Sequence, residues 1–492
     1  MIFWRSLLGI LIAALVLGLT TWFLFFRDIA QPHIADPVDV FNHGSIGNER
    51  TQGLPYWIWR VLPEVFSDIL PQGPEHTKGR WTALGVHWPE GQDLPVGFSQ
   101  KTLGVIPRVA PNCAICHQGI YRLSPEDETR LVTAGPGTQV DIQAFTNFLF
   151  TSADDPRFTA DEIMPAIEKH QKLPLWESLI YRYGLIPLTK RALTRQAKDF
   201  EWTKKNPEWG IGRIDPFNPV KYGILELEID GTIGNSDMMP LWNLQLAKAE
   251  GATRRSVHWD GLLTDVHETV IAGAIGDGMT YQSFPQAKDN LDRMETFINR
   301  AVPPESPFRS DLSPTHPFFV SQTDVSAGET IYTNQCAQCH EPSGSRFRQP
   351  IPHKEIKTDR YRLDMWTEEA KDKYSNYQPF QWDFEYFEKT DGYVSVDLAG
   401  LWLRGPYLHN GSVPNLRALL MPPDQRPKQF MRGSDLVDAT NGGFVSRAEL
   451  DPESRHWPVD TSIRGNGNQG HLWGTDLDES EKDALLAYLK TR

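Results

Sequence analysis

Asn334-Gln335-Cys336-Ala337-Gln338-Cys339-His340 carries two thiols three positions apart, with a histidine directly after the second. Asn112-Cys113-Ala114-Ile115-Cys116-His117 repeats the pattern. Both are C-x-x-C-H, the attachment sequence for a c-type haem. The spacing has a chemical reason. Each thiol can form a thioether to one haem vinyl group, and the histidine that follows then lies under the iron and ligates it. The same residue types also serve redox disulfides and zinc sites. Zinc would need further Cys or His at paired spacing, and no second C-x-x-C stands near either motif. A thioredoxin-like pair does not explain why the next residue is His in both copies. The two motifs use all four cysteines of the 492 residues. The expected cofactors are therefore two covalently attached c-type haems. One is held by Cys113, Cys116 and His117, the other by Cys336, Cys339 and His340, with His117 and His340 on the irons.

The chain is long enough for two domains and several cores. Its formal charge is −14, from 49 basic and 63 acidic residues. An acidic surface repels phosphate backbones, so nucleic acid is not an expected partner. It suits a basic redox partner protein. Ser6 to Phe26 is a run of 21 residues without charge, flanked by Arg5 and Arg27. As a helix it would be about 31 Å long, the thickness of a bilayer core. No convincing A-x-A cleavage site follows it. An uncleaved transmembrane anchor is expected. Covalent haem attachment takes place outside the cytoplasm, so the rest of the chain is expected in the periplasm, anchored to the inner membrane.

Residues 28 to about 105 are rich in Pro, Gly and Trp and lack clear periodicity, which predicts loop with short helices. Pro107 and Pro111 exclude an uninterrupted helix entering the first motif. Helical spacing recurs over 139–200, 262–275 and 286–300. The proline-rich Pro303-Pro304-Glu305-Ser306-Pro307 marks a junction near residue 320. Beyond it, Gly328, Ile331 and Tyr332 share a helix face leading into Cys336. Asp478 with Glu481 forms a capping-box pattern before a last helix bearing Leu485, Tyr488 and Leu489. A first helix running into C-x-x-C-H and a last helix packed across it is the small-cytochrome arrangement. The predicted class is mainly α: two cytochrome c-like haem domains, 28–320 and 321–492, with long irregular insertions. One transmembrane helix, within 1–27, precedes them.

Four stretches belong together: the 112–117 motif; Pro240-Leu241-Trp242-Asn243 with His258-Trp259-Asp260-Gly261; Pro406-Tyr407-Leu408-His409-Asn410-Gly411-Ser412; and Gly470-His471-Leu472-Trp473-Gly474-Thr475. In that order the chain resembles the di-haem cytochrome c peroxidase superfamily, closest to the branch of the bacterial rubber oxygenases. The resemblance spans about residues 100–490. It implies two haem domains facing each other, with a tryptophan of a Trp-Asp-Gly motif between them, here Trp259. Trp259 and Trp242 are the candidate catalytic residues. Peroxidases of this superfamily carry a distal histidine and an acidic residue near the N-terminal haem. No histidine matches before Pro240, and Glu268 to Gly278 lacks the acidic pattern.

Electron transfer is therefore the expected function. The alternative is a peroxidase- or oxygenase-like oxidoreductase acting at an open N-terminal haem. For the C-terminal haem the sixth ligand is expected on the loop before the last helix, where small cytochromes place a methionine and this chain has His471. Met421 and His409 are the rival ligands.

Overall fold

Two helices meet where a side chain would prevent it. The helix Gln322–Gln335 runs into Cys336, and the helix Glu479–Lys490 crosses it. A Cβ on Gly328 would lie 2.1 Å from the Ala484 carbonyl oxygen, so only glycine allows this approach. Asp478 and Glu481 complete the capping box at the start of the last helix. Leu485, Leu486 and Leu489 bury its inner face, and the Tyr332 and Tyr488 rings pack tilted at 5.1 Å. The small-cytochrome arrangement read around Cys336 is thus present in the backbone.

The computed structural model describes residues 2–25, 27–74, 77–247, 254–377 and 384–492. The first motif is approached differently. Strands Phe98–Leu103 and Ile106–Pro111 form an antiparallel hairpin, with Asp28–Ile29 and Leu54–Pro55 on its two edges. The expected loop over 28–105 therefore contains a four-stranded sheet. Its edge strands are two residues long, too short to show a period of two. Trp59 stacks on Trp81, and Phe98 and Phe145 pack tilted against them, in a core between this sheet and the helices Tyr56–Val65 and Ile142–Asp154. The helices Ala160–His170 and Ile186–Asp199 extend that layer, and Val266–Gly276 and Phe284–Ile298 match the later helical stretches.

Helix makes up 41% of the structure and strand 12%, in five small antiparallel sheets among the described residues. The expected class is corrected accordingly, above all at the N-terminus. A helix spans Ile2–Phe25, but Phe26 and the side chains of Ser6, Leu7, Ile10, Leu24 and Phe25 lie outside the described residues. Among the described residues no helix is long and apolar enough to cross a membrane. The transmembrane helix expected at Ser6–Phe26 is not supported.

Residues on the two sides of position 320 share one large apolar cluster, which runs from Val40 through Trp242 and Leu263 to Trp402 and Ala487. Buried polar groups also cross that boundary. Arg122 pairs with Asp435 at 2.6 Å and Asp451 at 2.9 Å, Arg432 with Asp237 at 2.8 Å, and Arg213 donates to Asn466 at 2.7 Å.

Candidate haem sites

At the C-terminal motif the chain turns from the helix Gln322–Gln335 into the short helix Ala337–His340. This presents Cys336, Cys339 and His340 to one cavity of about 1360 Å³, its open mouth included. Leu401, Leu416, Leu420, Leu485 and Leu489 form much of its wall. His340 donates Nδ1–H to the Val396 carbonyl at 2.6 Å, which leaves Nε2 as the free nitrogen. Desolvation pushes the Cys336 thiol up to about 11 and holds the His340 imidazole below its usual range, so both are neutral near pH 7. Neutral imidazole is the form that binds a metal.

His471 faces His340 across this cavity. Their ring centroids are 6.4 Å apart. Desolvation, then the nearby His340 and Arg426, lower His471 to about 3, so it too is neutral. Met421 does not line the cavity. His409 does, but it stacks flat on Tyr393 at 3.7 Å, and its Nε2 has no hydrogen-bond partner.

The first motif is set by Asn112. Its side chain caps Ala114 N–H and donates to the Phe41 and Gly44 carbonyls, fixing the turn against the helix Pro37–His43. His117 donates Nδ1–H to the Met239 carbonyl at 2.8 Å, the arrangement seen at His340. Desolvation, then Asp277, pushes the Cys113 thiol up to about 12, and Cys116 rises for the same two causes.

One short segment separates the two motifs. Met239 holds His117, while Asp237 and Pro240 line the cavity of the C-terminal motif. Trp259 lines that cavity too, and its Nε1–H donates to the Asp237 carbonyl at 3.2 Å. Its own carbonyl accepts from Val394 N–H at 2.8 Å. The preceding residue, His258, lies within electrostatic reach of His117, is held near 4 chiefly by desolvation, and leaves Nε2 without a partner. Trp259 therefore lines the cavity of the C-terminal motif, held to the segment that also holds His117. Trp242 does not line the cavity: it is 1% exposed, packed in the core under the Arg404 guanidinium.

The residues fit a c-type haem at the C-terminal motif. The two thiols and His340 open on one apolar hollow, and a second imidazole, His471, faces His340 across it. Buried polar atoms without partners, Tyr393 Oη, His409 Nε2 and Thr358 Oγ1, belong to residues lining the same hollow and call for an acceptor such as a carboxylate. At the N-terminal motif the thiols and the carbonyl-held His117 repeat the chemistry. Sequence reading missed Asp277, whose carboxyl desolvation lifts to about 6, and His258, Tyr393 and Arg426. Asp277 sits between two glycines, a turn pattern that carries no chemical signal of its own.

Comparison with known proteins points the same way. The family described as RoxA-like, cytochrome c-like matches residues 392–431, the segment that carries Tyr393, Arg404, His409 and Leu420 along the cavity wall. An uncharacterized protein, y4iM, of Sinorhizobium fredii (strain NBRC 101917 / NGR234) is 32% identical over 235 residues, 38% of this chain and 52% of that protein. A second, y4iJ, from the same strain is 39% identical over 108 residues, 20% of this chain and 17% of that protein. The chain spans about half the length of the first relative and about a sixth of the second. The match over 392–431 relates this chain to the c-type cytochromes, with c-type haem bound covalently.

Proposed function

We propose that the protein is a di-haem c-type cytochrome that passes electrons between two sites across the Asp237–Pro240 segment, in the periplasm and to a soluble redox partner protein. When bound, a c-type haem supplies a one-electron iron centre whose potential follows its axial ligands. The observation that carries the reading is the shared wall. One stretch of four residues holds His117 on one side and faces His340's cavity on the other, with Trp259 hydrogen-bonded to it. His340 and His471 would hold the C-terminal haem. Two neutral imidazoles, with no methionine sulfur as ligand, favour a lower reduction potential than His/Met ligation.

Two measurements test this. Haem content in acidified organic solvent should be two per chain, and one after Cys336→Ala with Cys339→Ala. Trp259→Phe should keep both haems and slow electron transfer between them after flash reduction of one. Two haems in the cysteine variant, or an unchanged transfer rate in the tryptophan variant, would remove the corresponding half of the reading.

A second reading, a haem oxidoreductase at the N-terminal motif, is favoured by Asp277. Its carboxyl lies within electrostatic reach of Cys113 and Cys116, and burial pushes it up to about 6. An oxidised spectrum with a high-spin component that shifts on adding cyanide or peroxide would select this reading. Two low-spin haems indifferent to both would select electron transfer.

A further inference from the structure

Arg426 is 2% exposed, and desolvation alone shifts it, lowering it to about 10, with no acidic neighbour contributing. A guanidinium has five N–H groups, and here each is directed at a main-chain carbonyl. Nε donates to Met421 at 3.1 Å. One terminal nitrogen donates to Asn468 at 2.6 Å and Gly470 at 2.9 Å. The other donates to Leu419 at 3.2 Å and His471 at 3.1 Å. These carbonyls belong to two segments far apart in sequence. Leu419 and Leu420 from the first and His471 from the second line the same cavity. Burying a cation against dipoles alone is costly, and this one is placed where two cavity walls would otherwise expose five unpaired carbonyls.

The segment it grips is also strained. His471 has φ +48°, a left-handed conformation that few side chains adopt. The other face of the loop is held by His471 N–H donating to the Ile356 carbonyl at 2.8 Å. At Gly470 a Cβ would lie 2.4 Å from that same oxygen, so the backbone has no room to relax toward Ile356.

We propose that Arg426 is the positioning residue of the C-terminal haem site, clamping the Asn468–His471 loop so that the His471 imidazole faces His340. This rests on His471 as the sixth ligand. A lysine has three donors on a single nitrogen and cannot reproduce the planar fork.

The test uses the full-length holoprotein and the variants Arg426→Lys, Arg426→Gln and His471→Gly. Each is read by paramagnetic resonance for spin state, by redox titration, and by covalent haem content. Both Arg426 variants should retain covalent haem, lose the low-spin signal of one haem, partly in Lys and largely in Gln, and shift that haem's potential. Added imidazole should restore the low-spin signal in the Arg426 variants and in His471→Gly alike. Wild-type spin state and potential in Arg426→Lys and Arg426→Gln, with His471→Gly converted to high spin, would overturn the clamp and leave the ligand standing. An unaltered His471→Gly spectrum would overturn the ligand itself. Should Arg426→Gln fail to fold, the Lys variant and its imidazole response decide.

Discussion

Three side chains compete for one place beside His340, and geometry separates them. His471 is at 6.4 Å ring to ring, His409 is stacked on Tyr393, and Met421 lies off the cavity. Replacing His471 with Gly should convert one low-spin haem to high spin with its thioethers intact, seen by paramagnetic resonance. Met421→Ala should leave the spectrum as it is, because that side chain is not on the cavity. His409→Ala should keep the low-spin signal as well, while opening a space beside Tyr393. A low-spin His471→Gly together with a high-spin Met421→Ala would reverse the assignment. His117, His340 and His471 are all held below the usual imidazole range, and in each the largest cause is desolvation by burial.

The helix crossing at Gly328 is the element on which the second site depends. It packs the helix Gln322–Gln335, which runs into Cys336, closely against the last helix. Gly328→Ala places a methyl group against the Ala484 carbonyl and should destabilise the fold by about 1–3 kcal/mol. Thermal unfolding followed by circular dichroism would measure this. Asp478→Ala removes the capping box and should cost about 1 kcal/mol. The glycine change should also broaden the haem absorption by loosening the motif, whereas the cap change should leave it alone. Equal spectra in the two variants would show that the crossing does not control the site.

At the scale of the molecule, the buried ion pairs bind the two motif-bearing halves into one unit. Arg122 is 11% exposed and its partners Asp435 and Asp451 are 8% and 2% exposed. Replacing Arg122 with Met strands two carboxylates and should cost about 3–5 kcal/mol. Because the apolar core and these pairs both cross residue 320, heating should give a single transition in haem absorption and in the far-ultraviolet signal. Two separated transitions would show that the halves unfold independently.

The two C-x-x-C-H motifs, the helix into Cys336, the capping box at Asp478 and the last helix were legible in the sequence. Each is a local pattern whose chemistry or geometry is complete within a few residues. The sheet before Cys113 was not legible, since its edge strands are held by partners distant in sequence rather than by any period of their own. The run Ser6–Phe26 read as a membrane span by composition alone, and the described helix does not support it. Trp259 and Trp242 have the same residue type and similar settings in sequence, and only packing sent one to the cavity and the other into the core. The wall shared by the motifs, the pairing of His340 with His471 and the five carbonyls gathered by Arg426 arise from segments far apart along the chain. Their positions follow from burial and hydrogen bonding across the whole fold, which a one-dimensional pattern does not contain.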